Sequence, residues 1–179
     1  MQTGSAAPCS KGRFLAAGEA PAVEIRRIHG AHEADLCARF MAASEPWLTL
    51  RRTVETSLRM LNDPRREVYV AVVRGEVAGF LVLQMEGAFV GYIQTLGVLP
   101  PWQNRGIGSR LVRFAEERIF SESPNAFICV SSFNQRARRL YERLGYEVVG
   151  ELKDYIVVGH SEILLRKSVG ALADFQRPR

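Results

Sequence analysis

The chain has 179 residues, 47% hydrophobic and 24% charged, with a formal net charge of +5. That length suits one substantial core, and the composition is that of a soluble globular domain rather than a disordered or fibrous chain. No apolar run approaches a membrane span, and Cys9, Cys37 and Cys129, odd in number and widely spaced, argue against a disulfide framework or a metal site.

Residues 1–22, rich in Ala, Gly, Ser and Pro, lack the basic leader and apolar stretch of a signal peptide and read as a flexible extension. With unpaired cysteines, this places the protein in the cytoplasm. Val23 to His29 reads as a first strand and Ala31 to Ala43 as a helix with Leu36, Phe40 and Met41 inward. Ser44-Glu45-Pro46-Trp47 breaks it, and Leu48 to Leu61 reads as a second helix closed by Asn62-Asp63-Pro64. Glu67 to Val73 and Glu76 to Met85 form a hairpin about Arg74-Gly75, and Phe89 to Val98 is the next strand. A helix opening at Gly106 carries Ile107, Leu111, Phe114, Ala115 and Ile119 on one stripe. Ala126 to Ser131 is a fifth strand, and Tyr146 to Tyr155 with Glu162 to Lys167 a final hairpin. Mixed strand and helix periods imply an α/β sandwich. Residues 168–179 form a C-terminal tail.

The sharpest local signal is Gln103-Asn104-Arg105-Gly106-Ile107-Gly108, a two-glycine turn between a strand and a helix. The first N–H groups of a helix have no internal partner, and glycine removes the Cβ atoms that would hold an anion away. The turn lacks the third glycine of a dinucleotide fingerprint and the Gly-Lys-Ser/Thr ending of a nucleotide-triphosphate loop. A second block follows, Asn134-Gln135-Arg136-Ala137-Arg138-Arg139-Leu140-Tyr141-Glu142-Arg143-Leu144-Gly145-Tyr146. Asn134 is a good N-cap, Ala137, Leu140, Tyr141 and Leu144 form the buried stripe, and Gly145 ends the helix.

With these two blocks in this order, the chain resembles the GNAT superfamily of acyl-CoA-dependent N-acyltransferases over residues 23–167. The resemblance implies a single α/β domain with a mixed, mostly antiparallel sheet flanked by helices and splayed between its fourth and fifth strands. It implies acetyl-CoA as co-substrate, no metal, and direct transfer to a primary amine in a ternary complex. Gln103, Asn104, Arg105, Gly106, Ile107, Gly108 and Ser109 would cradle the pyrophosphate. The backbone of Leu96, Gly97 and Val98 would pair with pantetheine, Asn134 would bind its arm, and Tyr141 would protonate the departing thiolate.

The proton acceptor departs from the pattern. Many members of the family place a glutamate where Gln94 stands, and the ribosomal-protein N-terminal alanine acetyltransferases place one at the position of Cys129. Gln94 can only orient a water or the amine, through an oxygen that accepts and an NH2 that donates. By the period of two, Tyr92, Gln94 and Leu96 share one face of their strand. A thiol is a poor base unless its environment lowers its pKa. Other candidates are Glu45, Glu86, Tyr155, His160 and Glu162; His160 has the right intrinsic pKa. Trp47, Tyr92, Tyr155 and His160 are candidate acceptor-side residues.

The arginines cluster around the two motifs without the interleaved aromatics of a base-stacking surface, so CoA phosphates explain them and neither nucleic acid nor membrane is implied. A homodimer stays open. Two other readings stand beside the enzyme: an acyl-CoA sensor without turnover, suggested by the missing carboxylate, and an enzyme like the ribosomal-protein alanine acetyltransferases.

Overall fold

The computed structural model describes residues 22–177. The expected extension falls outside them except for Ala22, as does Cys9. Seven strands form one sheet in the order β1 (Val23–Arg27), β2 (Arg66–Val73), β3 (Glu76–Gln84), β4 (Tyr92–Val98), β5 (Asn125–Ser131), β7 (Glu162–Ser168) and β6 (Glu147–Leu152). All neighbours are antiparallel except β4 and β5. Ser168, expected in the tail, is the last residue of β7, and Leu172–Asp174 forms a short 3-10 turn.

Alternate residues of β2 and β3 feed two separate cores, as the period of two requires. Val68, Val70, Val72, Phe80 and Val82 face α1 (Gly30–Ala42) and α2 (Val54–Leu61). Tyr69, Ala71, Val73, Leu81 and Leu83 face α3 (Ile107–Phe120), with α4 (Gln135–Arg143) on the same side. Buried side chains of α3, such as Leu111, Val112 and Ile119, each contribute about 1.5–3 kcal/mol relative to exposure. Arg118 ties α3 to β2 by a forked pair with Glu67 at 2.6 and 2.9 Å.

Three expected elements differ. The inward stripe of α1 is Ala34, Cys37, Ala38 and Met41, with Leu36 only half-buried. Helix α2 starts at Val54, not Leu48, because Arg51 adopts a left-handed φ of 55° and Thr53 caps the helix in a reciprocal box with Thr56. Strand β4 starts at Tyr92, not Phe89: Gly91 turns with φ 87°, and a Cβ there would lie 2.5 Å from the Asn125 carbonyl oxygen.

Strands β4 and β5 pair only at Tyr92 with Phe127 and Ile93 with Ile128, then part. At the same point β4 is irregular. Ile93 pairs with Leu83 and Thr95 with Val82, so Gln94 is an extra residue in a β-bulge. The bulge overturns the expected shared face of Tyr92, Gln94 and Leu96. Leu96 joins Ile93 on the α3 side, whereas Tyr92 is in register with Gln84 and lies on the α1–α2 side.

Candidate active site

Pro100–Trp102 forms a 3-10 turn after β4, and the chain enters α3 through two left-handed residues, Asn104 at φ 61° and Gly106 at φ 78°. Asn tolerates that conformation and glycine accepts it without strain. Arg136 of α4 fixes the turn, donating to Gln103 Oε1 at 3.1 Å and to Asn104 Oδ1 at 2.9 Å. Gln103 Nε2 in turn donates to the Val98 carbonyl at 3.0 Å. No side chain of the described residues caps α3, so its first N–H groups and helix dipole face the cleft.

That cleft, of about 400 Å³, lies between the end of β4, the start of α3 and α4. Leu96, Gly97 and Val98 form one wall, Gly106 to Ser109 its end, and Asn134, Ala137, Leu140 and Tyr141 the other wall. Gly97 is dictated by packing, since a Cβ would sit 2.5 Å from the Phe80 ring and 3.1 Å from Trp47. Gly108 is not: its Cβ would meet Leu140 at an acceptable 3.4 Å, so the space it leaves open belongs to the cleft. Trp47 is 8% exposed, anchored edge-on against Phe40 at 5.7 Å.

A second, smaller cavity of about 120 Å³ adjoins the first. Trp47, Leu96, Asn134 and Tyr141 border both. Tyr141 is 5% exposed, and burial raises its pKa, so the phenol stays protonated and able to donate. The second cavity also holds Arg52, Tyr92, Gln94, Cys129, Ser131, Tyr155 and Glu162. Gln94 Oε1 is itself buried, with no partner among the described residues. Burial raises the pKa of Cys129, which leaves it a thiol. Burial also lifts the Glu162 carboxyl above the usual carboxylate range, against the opposing pull of the Ser131 hydroxyl.

Most of the expected site residues converge. Leu96, Gly97, Val98, Gln103, Asn104, Gly106, Ile107, Gly108, Ser109, Asn134 and Tyr141 line the larger cleft, and Gln94, Tyr92 and Tyr155 the smaller. Arg105 stands aside, its guanidinium 5.4 Å from the Trp102 ring centre. Asn134 caps α4, its Oδ1 accepting from Ala137 N at 3.2 Å. Tyr155 lies beyond β6, in a loop closed by Gly159 N donating to Asp154 Oδ1 at 2.6 Å, and is 66% exposed at the mouth. His160 does not line either cavity and packs edge-on against Phe133 at 5.0 Å. Glu45 is held by the Thr49 hydroxyl at 3.0 Å. The residues underweighted by sequence are Arg136, Ser131 and Glu162.

The fold is thus a mixed α/β sheet whose two parallel strands pair only briefly, with a cleft that has an uncapped helix start at one end and a phenol at the other. Residues 32–146 match the acetyltransferase (GNAT) family, and the chain belongs to that family. It is 34% identical over 93 residues to the aminoalkylphosphonate N-acetyltransferase of Salmonella typhimurium, covering 49% of this chain and 60% of that protein. The match therefore spans less than two thirds of that relative. The structure resembles Arabidopsis thaliana NAA60 in complex with acetyl-CoA (TM-score 0.70, 19% identity, 84% of this chain and 100% of that one). It also resembles the ribosomal-protein-S18-alanine N-acetyltransferase of Escherichia coli (TM-score 0.68, 15% identity, 87% of this chain and 99% of that one). At these identities the likeness is one of fold.

Proposed function

We propose that this protein is an acetyl-CoA-dependent N-acetyltransferase that passes the acetyl group directly to a primary amine within a ternary complex. One arrangement carries the reading: the phosphate-accepting turn at Gly106 to Ser109 and the buried phenol of Tyr141 lie at a common cleft, with a second cavity opening beside the phenol. Backbone N–H groups of Ile107, Gly108 and Ser109 bind the pyrophosphate, as helix starts bind anions. The β4 edge freed by the splay pairs with pantetheine like an added strand. An N–H of Leu96, Gly97 or Val98 polarises the thioester carbonyl. Asn134 meets the pantetheine arm, and Tyr141 donates its proton to the departing thiolate. Gln94, which lines the second cavity, helps orient the incoming amine.

Direct transfer is favoured over an acyl-enzyme, because burial raises the pKa of the Cys129 thiol and holds it protonated. The small size of the second cavity, about 120 Å³, supports a compact amine, in keeping with the amine-bearing substrate class in the name of the Salmonella relative. Steady-state thiol release, with acetyl-CoA varied at several fixed concentrations of each amine in a panel, tests this. Families of intersecting lines are expected. Parallel lines would indicate an acyl-enzyme, and acetyl-CoA binding without release would leave a sensor.

A further inference from the structure

We propose that the smaller cavity is the amine site and that Glu162 is its proton acceptor, a proposal that rests on the transfer reading above. An amine that arrives as ammonium, with an ordinary pKa of about 10.4 for a lysine-like group, must lose a proton before it can attack. Neither residue at the two expected base positions does this: Gln94 has no basic group, and Cys129 is kept neutral by burial. Among the described residues, the only carboxylate lining the smaller cavity is Glu162. It is 4% exposed, at the first position of β7, directly opposite Ser131 in the β5–β7 ladder. Ser131 Oγ donates to its Oε1 at 2.6 Å, which fixes the carboxylate and leaves Oε2 without a partner among the described residues.

The surroundings suit the task. Tyr92 approaches from β4, Cys129 from β5, Tyr141 from α4, Tyr155 from the loop after β6, and Arg52 from the segment before α2. Of these only Arg52 carries charge, and its guanidinium is engaged with Met60 Sδ at 3.7 Å. Burial keeps the phenols of Tyr92 and Tyr141 and the thiol of Cys129 neutral, so among the described residues Glu162 is the carboxylate placed to hold an ammonium in the cavity. Gln94 lines the same cavity. A carboxylate whose ionisation is made harder by burial is also a stronger base once ionised, which brings it nearer to working pH.

The step balances as follows. The ammonium gives one proton to Glu162, which releases it to water. The neutral amine attacks the thioester carbonyl carbon and the C–N bond forms. Collapse of the adduct breaks the C–S bond, and the thiolate takes the proton of Tyr141. The amide nitrogen sheds its surplus proton, which restores Tyr141. Ammonium and thioester thus become amide, thiol and one free proton.

The test compares wild type with E162Q and E162D in kcat/KM against pH, using an amine that the wild type acetylates, with CoA affinity measured by calorimetry. E162Q keeps the size of the side chain and an oxygen for Ser131, but cannot take the proton. It is expected to lose about 10²- to 10⁴-fold in kcat/KM at neutral pH, the range of general-base catalysis. CoA affinity should stay unchanged, and the loss should shrink as rising pH frees the amine. E162D, which keeps a carboxylate, should exceed E162Q. Equal kcat/KM in E162Q and wild type would overturn the proposal alone. So would equal losses in E162Q and E162D with no recovery at high pH, the mark of a packing role. A wild type that acetylates no amine would overturn the transfer reading and this proposal together.

Discussion

Ser131 and Glu162 are direct partners in the β5–β7 ladder, and their side chains meet in a buried hydrogen bond of 2.6 Å. The hydroxyl stabilises the ionised carboxylate and so opposes the effect of burial on its pKa. Removing it in Ser131→Ala should move the Glu162 pKa further up. The acidic limb of kcat/KM against pH should shift to higher pH, with less change on the alkaline side. An unmoved limb would show that this bond does not set the ionisation.

The same carboxylate makes a prediction for stability. A folded-state pKa raised above the unfolded value means that the protonated form is favoured in the fold. The stability tied to that form is complete below the ordinary carboxylate range and is lost as pH rises through the folded pKa. E162Q, which never ionises, should therefore have a higher Tm than wild type at neutral pH. The gap should close as pH falls below about 4, the ordinary glutamate range. Thermal melts across pH check this, and a lower Tm for E162Q at neutral pH would contradict it.

Tyr141→Phe keeps the ring and its edge-on packing against Tyr146 at 5.9 Å while removing the donor. Turnover should fall by about ten- to a thousandfold, within the range of general acid catalysis. CoA affinity should barely change. An unchanged kcat would make Tyr141 a packing residue.

Gly108→Leu should fold, because a Cβ at this position meets only Leu140 at 3.4 Å and Val98 at 3.7 Å. Its longer side chain grows into the cleft between them. Calorimetry should show CoA affinity reduced by at least about tenfold, a loss of roughly 1.4 kcal/mol, with the circular dichroism spectrum of wild type. Undiminished affinity would remove the turn from the binding site.

What the sequence disclosed was local. The Gly106 and Gly108 turn and the Asn134 cap are written in adjacent residues, because a left-handed φ and a helix start each demand particular side chains. The mixed, mostly antiparallel sheet and the splay followed from the family resemblance those blocks carry. What stayed hidden depends on pairing across the sheet. The bulge at Gln94 exists only relative to β3, and a strict alternation misplaces Leu96. Ser131 and Glu162 are 31 residues apart, and nothing local marks them as opposite each other. His160 drew attention through its intrinsic pKa, yet its ring is taken up by Phe133. Arg136 looked like one of many surface arginines until the fold brought it onto Gln103 and Asn104.

Mass spectrometry of a reaction containing the protein, acetyl-CoA and a compact primary amine tests the transfer most directly. The expected result is the acetylated amine, formed in step with free CoA, with the protein itself unmodified at Cys129. Binding of acetyl-CoA with no acetylated product from any amine would contradict it.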